Sequence, residues 1–103
     1  MKAIRVHECG PPSVMRLEET PDPKPGPGQV VVRVKAVGVN PVDVYVRQGI
    51  PGRVPPLPYT PGSDAAGPVE ATGVGVRKAK KGDRVYTLRT IRGEYIGASA
   101  ELT

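Results

Sequence analysis

The sequence predicts a small, mainly β domain with one short helix. Three observations predict it. The 103 residues include 13 Gly and 13 Pro, a proportion that can accompany disorder, but here the punctuation separates valine-rich runs of period two, the pattern of a turn-rich β domain. Only one segment, Asn40 to Gly49, carries paired helix start and stop signals. Phe and Trp are absent and four Tyr are present, so the core has to come from Val, Ile, Leu and Ala, whose burial contributes about 25 cal/mol per Å². The length suits one domain with a single modest core, and no internal repeat or second domain is visible.

Ala3 to His7 reads as a strand, Gly10-Pro11-Pro12-Ser13 as turn chemistry and Val14 to Glu18 as a second strand, together an antiparallel hairpin. Pro21 to Gly28 alternates proline with polar residues and reads as a stiff polyproline II connector. Gln29 to Val39 is the clearest strand, with Val30, Val32 and Val34 facing one way and Arg33 and Lys35 the other; Gly38 permits a bend. In the next segment Val42, Val44 and Val46 alternate as in a strand. Asn40 as N-cap, Pro41 at the first helical position, Asp43 in the first turn and Gly49 at the C-terminal cap favour a short helix. Ile50 to Pro61 is a proline-rich loop, Val69 to Thr72 a strand in which Pro68 sits awkwardly, Gly73 to Val76 a turn, and Asp83 to Leu88 a strand entered through Lys81-Gly82. A last extended piece is expected over 95–98. The total is six or seven short strands.

The formal charge is +5, with basic residues clustered at Arg77, Lys78, Lys80, Lys81 and Arg84. No aromatic residues interleave with them, so the cluster reads as a solvated turn and nucleic acid is not an expected partner. Cys9 is the only cysteine, which excludes an intramolecular disulfide and suits a reducing compartment. The first residues, Met-Lys-Ala-Ile-Arg-Val, lack the apolar core of a signal peptide, and no apolar run approaches the roughly 20 residues of a membrane span. A soluble, cytoplasmic protein is expected.

Three stretches carry a resemblance. They are Ala36-Val37-Gly38-Val39-Asn40-Pro41-Val42-Asp43-Val44-Tyr45-Val46-Arg47-Gln48-Gly49, then Leu57-Pro58-Tyr59-Thr60-Pro61-Gly62-Ser63-Asp64-Ala65-Ala66-Gly67, then Lys81-Gly82-Asp83-Arg84-Val85-Tyr86. In order and spacing they resemble the N-terminal, GroES-like domain of the zinc-independent NADPH:quinone oxidoreductases, the zeta-crystallin type of the medium-chain dehydrogenase/reductase superfamily. The similarity covers almost all of residues 1–95. It implies a GroES-like, partly open β-barrel with one short helix, and NADPH and a quinone as the full-length family's cofactor and substrate.

The resemblance also implies which residues matter. The region of Asn40, Tyr45 and Tyr59 would line the cleft facing the nicotinamide. Hydride transfer to a quinone needs ring held against ring and donors to the quinone oxygens. The phenols of Tyr45 and Tyr59 can supply such donors and are the candidate catalytic groups; Asn40, through its amide, and Arg47, toward phosphate or an anionic product, are the candidate cofactor contacts. The two tyrosines read equally as packing residues with hydroxyls in water.

The same alignment argues against metal. The superfamily's zinc enzymes place Cys where Asn40 stands and His where Ser63 stands, and neither residue here is a normal zinc ligand. Their four-cysteine structural lobe has no counterpart, and His7 reads as a surface strand residue. Gly73-Val74-Gly75 lacks the third glycine and following helix of a dinucleotide fingerprint. Residues 1–103 are therefore expected to be a single GroES-like domain without the Rossmann nucleotide-binding domain, inactive in isolation. The other reading is a non-catalytic, stand-alone GroES-like module or scaffold, natural or redesigned. It draws on departures from the family pattern: Pro68 and Thr72 at apolar positions, Ala79 where Phe is usual, the basic Lys80-Lys81, and Glu94-Tyr95-Ile96-Gly97 after Gly93.

Overall fold

The structure is a computed structural model and describes residues 1–52, 54–88 and 97–103. Strands β1 (Lys2–Val6) and β2 (Met15–Glu19) form the expected antiparallel hairpin, with Lys2 opposite Glu19 and Val6 opposite Met15. The second strand starts one residue late because Pro12–Val14 tighten into a 3-10 turn, closed by the Val14 N–H to the Pro11 carbonyl at 3.0 Å.

A second sheet is organised around one strand. β5 (Asp64–Thr72) pairs antiparallel with β3 (Val30–Val32) and β4 (Ala36–Gly38) along one edge and with β6 (Arg84–Tyr86) along the other. The sequence predicts one unbroken strand over 29–39 and a short one over 69–72; the structure breaks the first and extends the second to nine residues. Pro68 accounts for the break. In an antiparallel bonded pair each residue donates to the other. Arg33 N–H reaches the Pro68 carbonyl at 2.9 Å, but proline has no N–H to return. The register shifts between Val31 and Val32 on one side of this pair. On the other side, the chain from Arg33 to Ala36 uses one residue more than β5 does from Pro68 to Ala66. Two irregularities thus flank a proline that sits inside a strand, where bulges are the usual accommodation.

The C-terminal segment links the two sheets. Ala100 bridges to Ala3 and Leu102 to Arg33. Val32 and Thr103 exchange backbone bonds at 2.7 and 3.0 Å, and Glu101 N–H reaches the Lys2 carbonyl at 3.1 Å. The expected piece over 95–98 lies partly outside the described residues; Gly97 and Ala98 are in no strand. The core comprises Ala3, Val6, Val31, Val32, Tyr59, Ala65, Val69, Ala98 and Leu102, almost entirely the small aliphatics that the composition required. Among the described residues the strands do not close into a ring, so the barrel is partly open, and there is one α-helix.

Candidate functional site

The helix α1 (Pro41–Gln48) carries two of the four candidate residues, Tyr45 and Arg47, and a third, Asn40, is its N-cap. Its termini override the strand-like valine alternation. Asp43 accepts the Asn40 N–H at 2.9 Å on Oδ2, and the Asn40 carbonyl accepts the Asp43 N–H at 3.0 Å. At the other end Gly49 turns left-handed (φ 94°) and its N–H reaches the carbonyls of Tyr45 and Val46, each at 3.1 Å. A short helix needs such termini because its own nucleation is unfavourable. Asp43→Ala is expected to destabilise the domain by about 1 kcal/mol, measurable as a lowered urea midpoint with an unchanged slope.

Asn40 is also tied to the sheet. Its Nδ2 donates to Asp64 Oδ2 at 2.7 Å. Asp64 begins β5 and pairs with Gly38, where an added Cβ would lie 3.1 Å from the Asp64 Cβ. Along β5, Asp64 and Ala66 share a face, opposite to the buried Ala65. Ala36, Ala66 and Tyr86 stand in one cross-strand row. That face is open: Tyr86 is 74% exposed and Ala36 is exposed too. The Asn40–Asp64 pair therefore sits at the rim of an outward-facing sheet surface.

The other candidates divide between two environments. Tyr45 projects from α1 and is 49% exposed. Arg47, two residues further on, is buried; its Nε donates to the Gly10 carbonyl at 3.2 Å while the Gly10 N–H donates to the Arg47 carbonyl at 2.9 Å. Tyr59 pairs with Val6 through backbone bonds of 2.9 and 3.1 Å and is 4% exposed. Its hydroxyl is buried with no hydrogen-bond partner among the described residues. The structure thus brings Asn40 together with Asp43 and Asp64 and Arg47 together with Gly10, and it leaves Tyr45 half exposed while Tyr59 is buried. Asp64 stands inside a motif that gives it no role of its own, and nothing local in the sequence marks it as the partner of Asn40.

Burial pushes the Tyr59 phenol up to about 12; the nearby Cys9 and, more weakly, Asp43 add to the rise, and the Arg47 guanidinium opposes it. The folded-state value is above the usual phenol value near 10, so stability is complete below that pH and falls as pH rises toward 12. An absorbance titration is expected to show one of the four tyrosines ionising only near pH 12 or together with unfolding, and Tyr59→Phe to remove that step.

Elsewhere, His7 is exposed and its Nε2 lies 2.7 Å from Glu18 Oε1. The basic residues 77, 78, 80, 81 and 84 are all exposed around a turn closed by Lys80 N–H to Asp83 Oδ2 at 3.0 Å. Among the described residues no three His, Cys, Asp or Glu side chains converge as metal ligands, and no helix is long and apolar enough to cross a membrane. A hollow of about 440 Å³ beside Met1, Arg5, Asp22 and Thr60 contains none of the candidate residues.

Residues 26–101 match the alcohol dehydrogenase GroES-like domain. The chain belongs to that family. This GroES-like domain is 51% identical over 96 residues to the quinone oxidoreductase of Rattus norvegicus, covering 92% of the chain and 29% of that protein. It is equally 51% identical over 76 residues to the rat synaptic vesicle membrane protein VAT-1 homolog, covering 72% and 19%. Among solved structures, Escherichia coli quinone oxidoreductase complexed with NADPH aligns with all of the chain and 30% of its own, with a TM-score of 0.89 and 34% identity. The resemblance read from the motifs is therefore met at the level of family and fold. The domain spans less than a third of the length of each of these three relatives.

Proposed function

We propose that this chain is the substrate-side domain of an NADPH-dependent quinone oxidoreductase and has little or no activity alone. The observation that carries this reading is the Asn40–Asp64 pair at the N-cap of α1, beside an open sheet face, with an exposed Tyr45 phenol further along the same helix, in a chain whose relatives include a quinone oxidoreductase complexed with NADPH. Bound NADPH would supply the hydride. With one amide N–H fixed on Asp64, Asn40 keeps its second N–H for the cofactor. Tyr45 donates from its hydroxyl to a quinone oxygen as charge develops there. Arg47 ties the last turn of α1 to Gly10, and Tyr59 pairs with Val6; both side chains are buried, so their roles are in positioning rather than in contact with solvent-side ligands. The exposed Val39, Tyr86 and Leu88 form apolar surface of the kind that further polypeptide covers in a longer protein. A cytoplasmic location fits a lone free thiol.

The test supplies the remaining part of a quinone oxidoreductase in trans and follows NADPH absorbance with a quinone. A saturable rate that Tyr45→Phe lowers by about tenfold or more supports the reading; a rate indifferent to Tyr45→Phe and Asn40→Ala refutes the assigned roles. Zinc is expected to have no part. Elemental analysis of purified protein should find negligible metal, and stoichiometric zinc surviving a chelator would count against the reading of Asn40 and Ser63.

A further inference from the structure

The hollow of about 440 Å³ is walled by Arg5 of β1, by Thr20 just past β2 and by the start of the proline-rich connector. Its volume falls within the range of about 300–1,000 Å³ that small-molecule sites occupy, and the proposed reaction uses none of its residues. Arg5 is held at two points: Nη1 donates to Oγ1 of the buried Thr60 at 3.1 Å and Nη2 to the Pro58 carbonyl at 3.0 Å. A guanidinium has five N–H groups; two are used among the described residues, which leaves three on a side chain already fixed in place. Neither Arg5 nor Lys24, the second cationic side chain of the wall, makes any of the ion pairs found among the described residues. The one carboxylate of the wall, Asp22, is engaged: its Oδ1 lies 2.9 Å from the Met1 ammonium, which also donates to the Thr20 carbonyl at 2.8 Å. Thr20 adds an independent sign of a ligand. Its Oγ1 is buried with no hydrogen-bond partner among the described residues. Leaving such a hydroxyl unpaired is costly, and rotation about Cα–Cβ to another staggered position carries it toward an acceptor in the hollow.

We propose that this hollow binds a small organic phosphate, its phosphoryl group on Arg5 and Lys24 and its carbon skeleton against Pro21 and Pro23, which also line the hollow. The planar guanidinium offers parallel N–H donors that match two phosphoryl oxygens, and Lys24 supplies a second positive charge as a point donor. The Thr20 hydroxyl donates to the third oxygen. Two cations without carboxylate partners suit a dianion; a carboxylate, with one charge and two oxygens, leaves part of this donor set unused. The proline rings give apolar surface for the organic part. The proposal is independent of the quinone reading.

The experiment titrates the nitrogen-15-labelled chain with phenyl phosphate at about 0.15 M salt, where loose attraction between exposed charges is screened, and follows the backbone amide shifts. Saturable shifts centred on Arg5, Thr20, Lys24 and Thr60 are expected, with benzoate and inorganic phosphate binding several-fold more weakly. Arg5→Lys, which keeps the charge and loses the planar fork, is expected to weaken phenyl phosphate about tenfold. Lys24→Gln, an exposed change that leaves the core untouched, is expected to weaken it about threefold. The pair Lys80→Gln and Lys81→Gln in the basic turn removes as much positive charge and more, and is expected to leave the affinity unchanged. Circular dichroism confirms the fold of each variant. Benzoate bound as tightly as phenyl phosphate overturns the proposal. So do shifts that never saturate, shifts centred on residues 77–84, or affinities equal in wild type, Arg5→Lys and Lys24→Gln.

Discussion

Mixed with NADPH and phenanthrenequinone, the isolated 103-residue chain is expected to consume NADPH no faster than the two reagents react without protein. Hydride transfer requires the nicotinamide and the quinone to be held in contact, and such positioning can lower a barrier by about 7–11 kcal/mol. Nothing within this sequence supplies the glycine-rich turn and helix that hold a pyrophosphate. Asn40 lies at the rim of an open sheet face and Tyr45 is half exposed on α1, where water competes for each hydrogen bond they offer. The comparison is absorbance loss with and without the chain across a range of quinone concentrations. A saturable rate well above background, reduced by Tyr45→Phe, would show that this domain alone positions both rings.

Gly67→Ala is expected to be the most damaging single change among the glycines of the sheet. A Cβ at Gly67 would stand 1.9 Å from the Arg33 carbonyl oxygen and 3.2 Å from the Lys35 nitrogen. Both are backbone atoms bound into the sheet: Arg33 N–H to Pro68 and Lys35 N–H to the Ala66 carbonyl at 2.8 Å. Neither can move aside as a flexible side chain would, so β5 must separate from the strand run beside it. The cost should reach about 3 kcal/mol or more, a large part of a small domain's stability. Gly75→Ala is the control. It has a positive φ of 84° but nothing within 4 Å of the added Cβ, so only the backbone preference is lost, about 1 kcal/mol. Urea titration of both variants tests the difference. Equal midpoints would mean that the close approach at Gly67 relaxes freely.

Features that depend on neighbours along the chain were legible in the sequence. The hairpin of β1 and β2 follows from two short alternating runs around Gly10 to Ser13. The helix follows from Asn40, Pro41, Asp43 and Gly49, whose local bonds outweigh the alternation of three valines. The basic turn and the family motifs are also local strings. What depends on distant partners was decided only by the tertiary structure. Pro68 lies within a nine-residue strand because its carbonyl still accepts from Arg33, 35 residues earlier, while bulges on either side absorb the missing donor. Ala98 and Leu102 enter the core because the last residues reach back to Ala3, Val32 and Arg33 and join the two sheets; one isolated Leu and a few small residues give no periodicity to read. The candidate site divides in the same way. Four residues named by motif fell into two environments: Asn40, bound to Asp64, and Tyr45 reach solvent, while Arg47, bound to Gly10, and Tyr59 are buried. A residue's position along α1 does not say which side faces solvent until the Gly10 loop and the Tyr59 strand bridge have packed beneath it, and that packing is a contact between segments tens of residues apart.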